Sequence, residues 1–87
     1  MKMIIAILKD DDIESVVQTL TAGGFRVTRV ASTGGFFRKG NTTLLIGVED
    51  GQVNTAIKIL HEKTAPAPEG EKRATIFVVP VDRYEQL

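Results

Sequence analysis

The sequence predicts an α+β fold of element order βαββαβ, an antiparallel sheet with two helices on one face. Three observations carry that expectation. Four short runs rich in β-branched and aliphatic residues alternate with two stretches whose apolar residues recur at i, i+3, i+4 and i+7. Glycine, proline or acidic residues punctuate the junctions. The two halves are also alike, each running from apolar strand to acidic residues, amphipathic helix and second strand. At 87 residues the chain is expected to be one domain spanning 1–87.

The first strand is expected over residues 2–8 (K-M-I-I-A-I-L), an isoleucine-rich run bounded by charge. Asp10, Asp11 and Asp12 follow. Asp11 with Glu14 three residues on has the spacing of a capping box, which puts a helix start there. Ile13, Val16, Val17 and Leu20 then form one helical face, and Gly23-Gly24 ends the helix. Residues 25–31 form a second strand by alternation, with Phe25, Val27, Arg29 and Ala31 on one side and Arg26, Thr28 and Val30 on the other. Residues 32–40 carry three glycines and read as a loop. The third strand is 41–48 (N-T-T-L-L-I-G-V). Asp50 is expected to cap a second helix whose Val53, Ala56, Ile57 and Leu60 repeat the helical spacing. Two prolines and a glycine make 64–72 a loop, and 74–81 is the fourth strand, with Pro80 at an edge. This order is the ferredoxin-like sandwich.

One feature of the strands conflicts with a lone sandwich. Two helices cover one face, so the other should be polar in a monomer. Yet Met3, Ile5 and Ile7 lie opposite Ile4, Ala6 and Leu8, and Thr75, Phe77 and Val79 lie opposite Ile76 and Val78. Both faces are largely apolar. Another copy of the chain is the expected cover, giving a closed homo-oligomer.

Charge and composition exclude several classes. Lys+Arg and Asp+Glu each number 11, so no global field attracts nucleic acid or an anionic membrane. There is no cysteine, and no apolar run approaches the roughly 20 residues that span a bilayer. The expected compartment is the cytoplasm. His61 is the one histidine and is placed near a helix C-terminus; the aspartate run reads as helix capping, and no metal site is expected. No phosphate loop, nucleophile elbow or nucleophile–base pair stands out, so no catalytic residue and no cofactor are assigned.

The segment A-S-T-G-G-F-F-R-K-G-N-T-T is different. It is longer than the usual hairpin loop of 2–5 residues and sets Phe36 and Phe37 beside Arg38 and Lys39, with Arg26 and Arg29 on the preceding strand. Aromatic surface, guanidinium groups and glycine-freed amides together suit a nucleotide. Thr28, Asn41 and Thr43 add hydrogen-bonding groups. Taken singly, the glycines read as a turn, the phenylalanines as packing and the cations as solvated surface.

The opening M-K-M-I-I-A-I, the middle F-R-V-T-R-V-A-S-T-G-G-F-F-R-K-G-N-T-T-L-L-I-G-V and the closing A-T-I-F-V-V-P-V-D, with Tyr84, Gln86 and Leu87 behind it, resemble the PII-like cyclic di-AMP receptor proteins. The resemblance covers nearly all of the chain except 64–72. It implies a homotrimer binding one cyclic di-AMP at each subunit interface. Matching positions imply that Arg26, Thr28, Asn41 and Gly47 contact an adenine and the ribose-phosphate ring. Gly35, Phe36 and Phe37 would line the pocket, and Gln86 would reach a neighbouring site. Family members usually carry a much longer loop where this chain has 64–72. Two other readings stay open: a PII-type sensor of ATP, ADP or another small metabolite, and a ligand-free trimeric interaction module.

Overall fold

The structure, a computed structural model, describes residues 1–30 and 40–87. Its elements are β1 (Lys2–Lys9), α1 (Asp10–Ala22), β2 (Arg26–Val30), β3 (Asn41–Val48), a 3-10 turn (Asp50–Gln52), α2 (Val53–Lys63) and β4 (Ala74–Pro80). The strands form one sheet in the order β2-β3-β1-β4, every neighbouring pair antiparallel. With two helices this is the ferredoxin-like α+β arrangement that the sequence predicts.

Period-two alternation decides which residues enter the core. Ile4, Ala6 and Leu8 of β1 and Leu44, Ile46 and Val48 of β3 are buried beneath the helices. Ile13, Val16 and Leu20 of α1 and Ala56 and Leu60 of α2 close the cluster from above, with Val17, Val53 and Ile57 half-buried at its margin. These are the helical faces expected from the spacing. Each fully buried Leu, Ile or Val contributes about 1.5–3 kcal/mol of transfer free energy.

The helix starts differ from expectation. Helix α1 begins at Asp10 itself; Lys9 is its N-cap and makes no side-chain cap. The reason is that β1 runs straight into the helix. The Asp10 amide donates to the Gly40 carbonyl at 2.8 Å, and its carboxylate accepts the Thr42 hydroxyl. Asp10, Asp11 and Asp12 therefore fill the first turn, where the helix dipole favours negative charge, instead of capping it. Asp50 likewise opens the 3-10 turn, and its carboxylate pairs with the Met1 ammonium at 3.0 Å.

The end of α1 follows the predicted glycine pair closely. Gly24 adopts φ +87°, its amide donates to the Thr21 carbonyl, and the Phe25 amide donates to the Leu20 carbonyl. This is a Schellman termination, which sends the chain directly into β2. Pro80 closes β4, an edge strand, where its missing N–H costs no ladder bond.

The connection 64–73 is tied at both ends. Thr64 is buried with its hydroxyl donating to the Leu60 carbonyl at 2.8 Å, and the Ala65 amide donates to Asp12 Oδ1 at 3.3 Å. At the other end Arg73 donates to the His61 carbonyl at 3.1 Å.

Gly24 and Gly51 separate conformation from space. A methyl group at either would meet no atom within 4 Å, yet Gly24 alone of the two has a left-handed backbone. Gly24→Ala should lower stability by about 1 kcal/mol in urea unfolding, whereas Gly51→Ala should be neutral within about 0.5 kcal/mol. Equal effects at the two positions would contradict the Schellman account.

Candidate functional site

The face of the sheet away from the helices is ordered in rows. Cross-strand register aligns Arg26, Gly47, Met3 and Val79 in one row and Thr28, Leu45, Ile5 and Phe77 in the next. Val30, Thr43, Ile7 and Thr75 form a third, and beyond it Asn41 pairs with Lys9. This face is apolar through its middle, and Phe77 is 52% exposed.

The β2 and β3 residues of the first two rows, with Met3 of β1, floor a cleft of about 640 Å³. Arg26, Thr28, Leu45, Gly47 and Met3 line it, together with Met1, Lys2 and residues 80–84. That volume lies in the range of small-molecule sites, roughly 300–1,000 Å³. The Schellman turn places Arg26 as the first residue of β2, at the rim, where its guanidinium donates to Gln86 Oε1 at 3.1 Å. Gly47 sits beside it in mid-strand. A Cβ there would meet Met1 Cε at 3.6 Å, ordinary contact with a flexible side-chain end. Glycine here leaves the floor of the cleft open; the fold itself does not require it.

The Met1 ammonium at this cleft is compensated. Its hydrogen bond to Asp50, and then its charge, hold the Asp50 carboxyl below its ordinary value. A depressed carboxyl stabilises the fold above its unfolded-state pKa and loses that contribution as pH falls through the lowered one.

Of the seven residues assigned from sequence, Arg26, Thr28 and Gly47 come together. Asn41 does not join them. It stands six residues from Gly47 along β3, about 20 Å by strand rise, and lines a second cleft of about 740 Å³ with Lys9, Asp10, Glu71 and Lys72. Gly35, Phe36 and Phe37, with Arg38 and Lys39, lie outside the described residues. The expected grouping of cations is corrected in one respect. Arg29, three residues from Arg26, points to the helix side and pairs with Glu14 of α1 at 2.8 Å, so it is withdrawn from the open face. Gln86, assigned to a neighbouring site, touches Arg26 of its own chain. Thr43 is buried on the open face, its hydroxyl without a hydrogen-bond partner among the described residues.

Sequence reasoning missed the wall formed by 80–84. An exposed segment without regular structure has no periodicity to read, so nothing in the sequence pattern singles out Arg83 or Tyr84.

A family model for the cyclic-di-AMP receptor matches residues 1–68, most of the chain, including β1, β2 and β3, which floor the cleft. The chain belongs to the cyclic-di-AMP receptor family. Among solved structures, that of a functionally unknown protein from Pediococcus pentosaceus ATCC 25745 is similar to it. The two are 30% identical with a TM-score of 0.80, and the match covers 99% of this chain and 96% of that one. That relative is therefore of nearly equal length.

Gly47 offers a test of the cleft that is separable from folding. Gly47→Val should reduce nucleotide affinity about tenfold or more by filling the floor, while the thermal unfolding midpoint changes by no more than a few degrees. Full affinity in that variant would show that the floor of the cleft is not where ligand sits.

Proposed function

We propose that this receptor-family protein is a non-enzymatic signal-transduction protein that binds cyclic di-AMP as a homotrimer, holding the nucleotide where subunits meet. The observation that carries this reading is the cleft built by Arg26, Thr28 and Gly47 on the open face of a chain of that family. Arg26 presents a guanidinium whose present partner, the Gln86 carboxamide, is neutral. A phosphodiester is a better acceptor, since hydrogen bonds to charged groups contribute about 1.5–3 kcal/mol each. Thr28 supplies a hydroxyl one row away, and Gly47 leaves room for a flat ring.

Assembly is supported by the open face itself, and the number three by the family resemblance. Ile5, Ile7 and Leu45 lie there half-buried beside exposed Phe77, an apolar area with no helix over it among the described residues. Asn41, Gly35, Phe36 and Phe37 enter the proposed site through the family resemblance, with Asn41 reaching the ligand from the opposite end of the sheet. A receptor family supports binding in preference to catalysis.

Isothermal titration calorimetry with cyclic di-AMP, using cyclic di-GMP and ATP as controls, tests the ligand. Selective binding near one nucleotide per chain is expected, with Arg26→Ala about tenfold weaker or more. Heat with ATP and none with cyclic di-AMP would move the protein to the ordinary PII class.

Assembly is tested separately by sedimentation. The native chain should run as a trimer and Ile5→Asp as smaller species, because a carboxylate buried in an apolar contact is strongly disfavoured. A native monomer at micromolar concentration would sink the interface reading.

A further inference from the structure

We propose that residues 81–87 form a second wall of the nucleotide site, with Tyr84 as a stacking surface and Arg83 as a second guanidinium for phosphate. The inference rests on the cyclic dinucleotide reading above and extends it past residue 68, where the family match ends.

The chain is steered to this wall by its own local chemistry. Pro80 ends β4, and the Val81 amide then donates to the Met1 carbonyl at 3.1 Å, which draws the following residues alongside the row of Arg26 and Gly47. Arg83 and Tyr84 line the same cleft as Arg26. The segment is fastened again at Gln86, whose side-chain oxygen accepts from Arg26 at 3.1 Å. It therefore spans the cleft from one anchored end to the other.

Within the protomer neither residue has a structural task that explains its position. There Tyr84 is 53% exposed, a large apolar ring at the mouth of a cleft. Arg83 pairs with Glu85 at 2.6 Å, but both are exposed neighbours on one segment, and such pairs hold weakly. Its guanidinium can turn to a stronger acceptor at little cost. A cyclic dinucleotide brings two phosphodiesters and two bases. Arg26 answers one charge, and Arg83 on the other wall answers the second. Tyr84 offers one base a face of the kind that stacks on nucleobases without regard to sequence. When phosphate takes Arg26, Gln86 is released, and the segment is free to settle on the bound ligand.

Tyr84 is the chain's one tyrosine and there is no tryptophan, so intrinsic fluorescence reports that ring alone. Titration of cyclic di-AMP into the full chain should quench the emission with the midpoint found by calorimetry. Calorimetry of Tyr84→Ala should show about tenfold weaker binding, with Tyr84→Phe close to native and Arg83→Gln weakened with a shallower salt dependence. Unchanged thermal unfolding in all three would keep folding out of the result. Native-like affinity in Tyr84→Ala and Arg83→Gln, beside a loss in Arg26→Ala, would overturn the second wall and leave the family reading intact. An unchanged emission at saturation would overturn the stacking role. No binding to the native chain would overturn the dinucleotide reading and this inference with it.

Discussion

Successive residues of a strand point to opposite faces, and in β1 both sets are apolar. Ile4, Ala6 and Leu8 pack under the helices, while Met3, Ile5 and Ile7 look the other way with Leu45 between them and β2. Two helices can shield only one face of a four-stranded sheet. The helix side therefore supplies the stability of the protomer, and the open side supplies surface that water does not favour. The cleft of Arg26 and Gly47, the proposed subunit contact and the second cleft all lie on or beside that open side. A single substitution that shifted the register of β1 by one residue would exchange the two faces and abolish the distinction.

Within that face the cleft forms at one end for reasons traceable to three local features of the chain. The Schellman termination at Gly24 delivers Arg26 as the first residue of β2. Gly47 brings β3 past it without a side chain. Pro80 ends the opposite edge strand and releases residues 81–87 to fold alongside Met1. None of these three devices contributes much to the core. Each fixes where a polar or aromatic group stands at the rim, and a binding site on a small sheet needs such fixing more than it needs further burial.

The strands, the helical faces and the glycine pair were legible in the sequence because each has a period or a backbone demand. The bounds of β3, the buried face of α1 and the edge position of Pro80 follow from alternation, 3.6-residue spacing and a missing N–H. What misled was proximity in sequence. Arg26 and Arg29 look like one cluster, yet three residues along a strand reverses the face, and Arg29 is taken by Glu14. Asp11 looks like a cap, yet a strand running unbroken into α1 leaves no non-helical residue for it to occupy. Asn41 and Gly47 enter one site through the family resemblance, and an eight-residue strand is long enough to put its two ends at different clefts of the protomer. The contribution of 80–84 carries no pattern at all; it exists only through contacts made across the chain, Val81 to Met1 and Gln86 to Arg26.

The connection 64–73 bears on how a bound nucleotide could be sensed. In this chain it is short and fastened, by Thr64 and Ala65 to α2 and Asp12 at one end and by Arg73 to the His61 carbonyl at the other. A segment held in this way has little freedom to report on a ligand some distance away. Residues 81–87 have the opposite character. They form no regular structure, and their hold on the cleft runs through Arg26, the group that an anionic ligand would claim first. Conformational response requires an element whose two arrangements differ in their contacts with ligand. Among the described residues that condition is met more fully by this segment than by the connection between α2 and β4. In a short-connection receptor the signal is then better carried at the site itself than through a loop elsewhere on the fold.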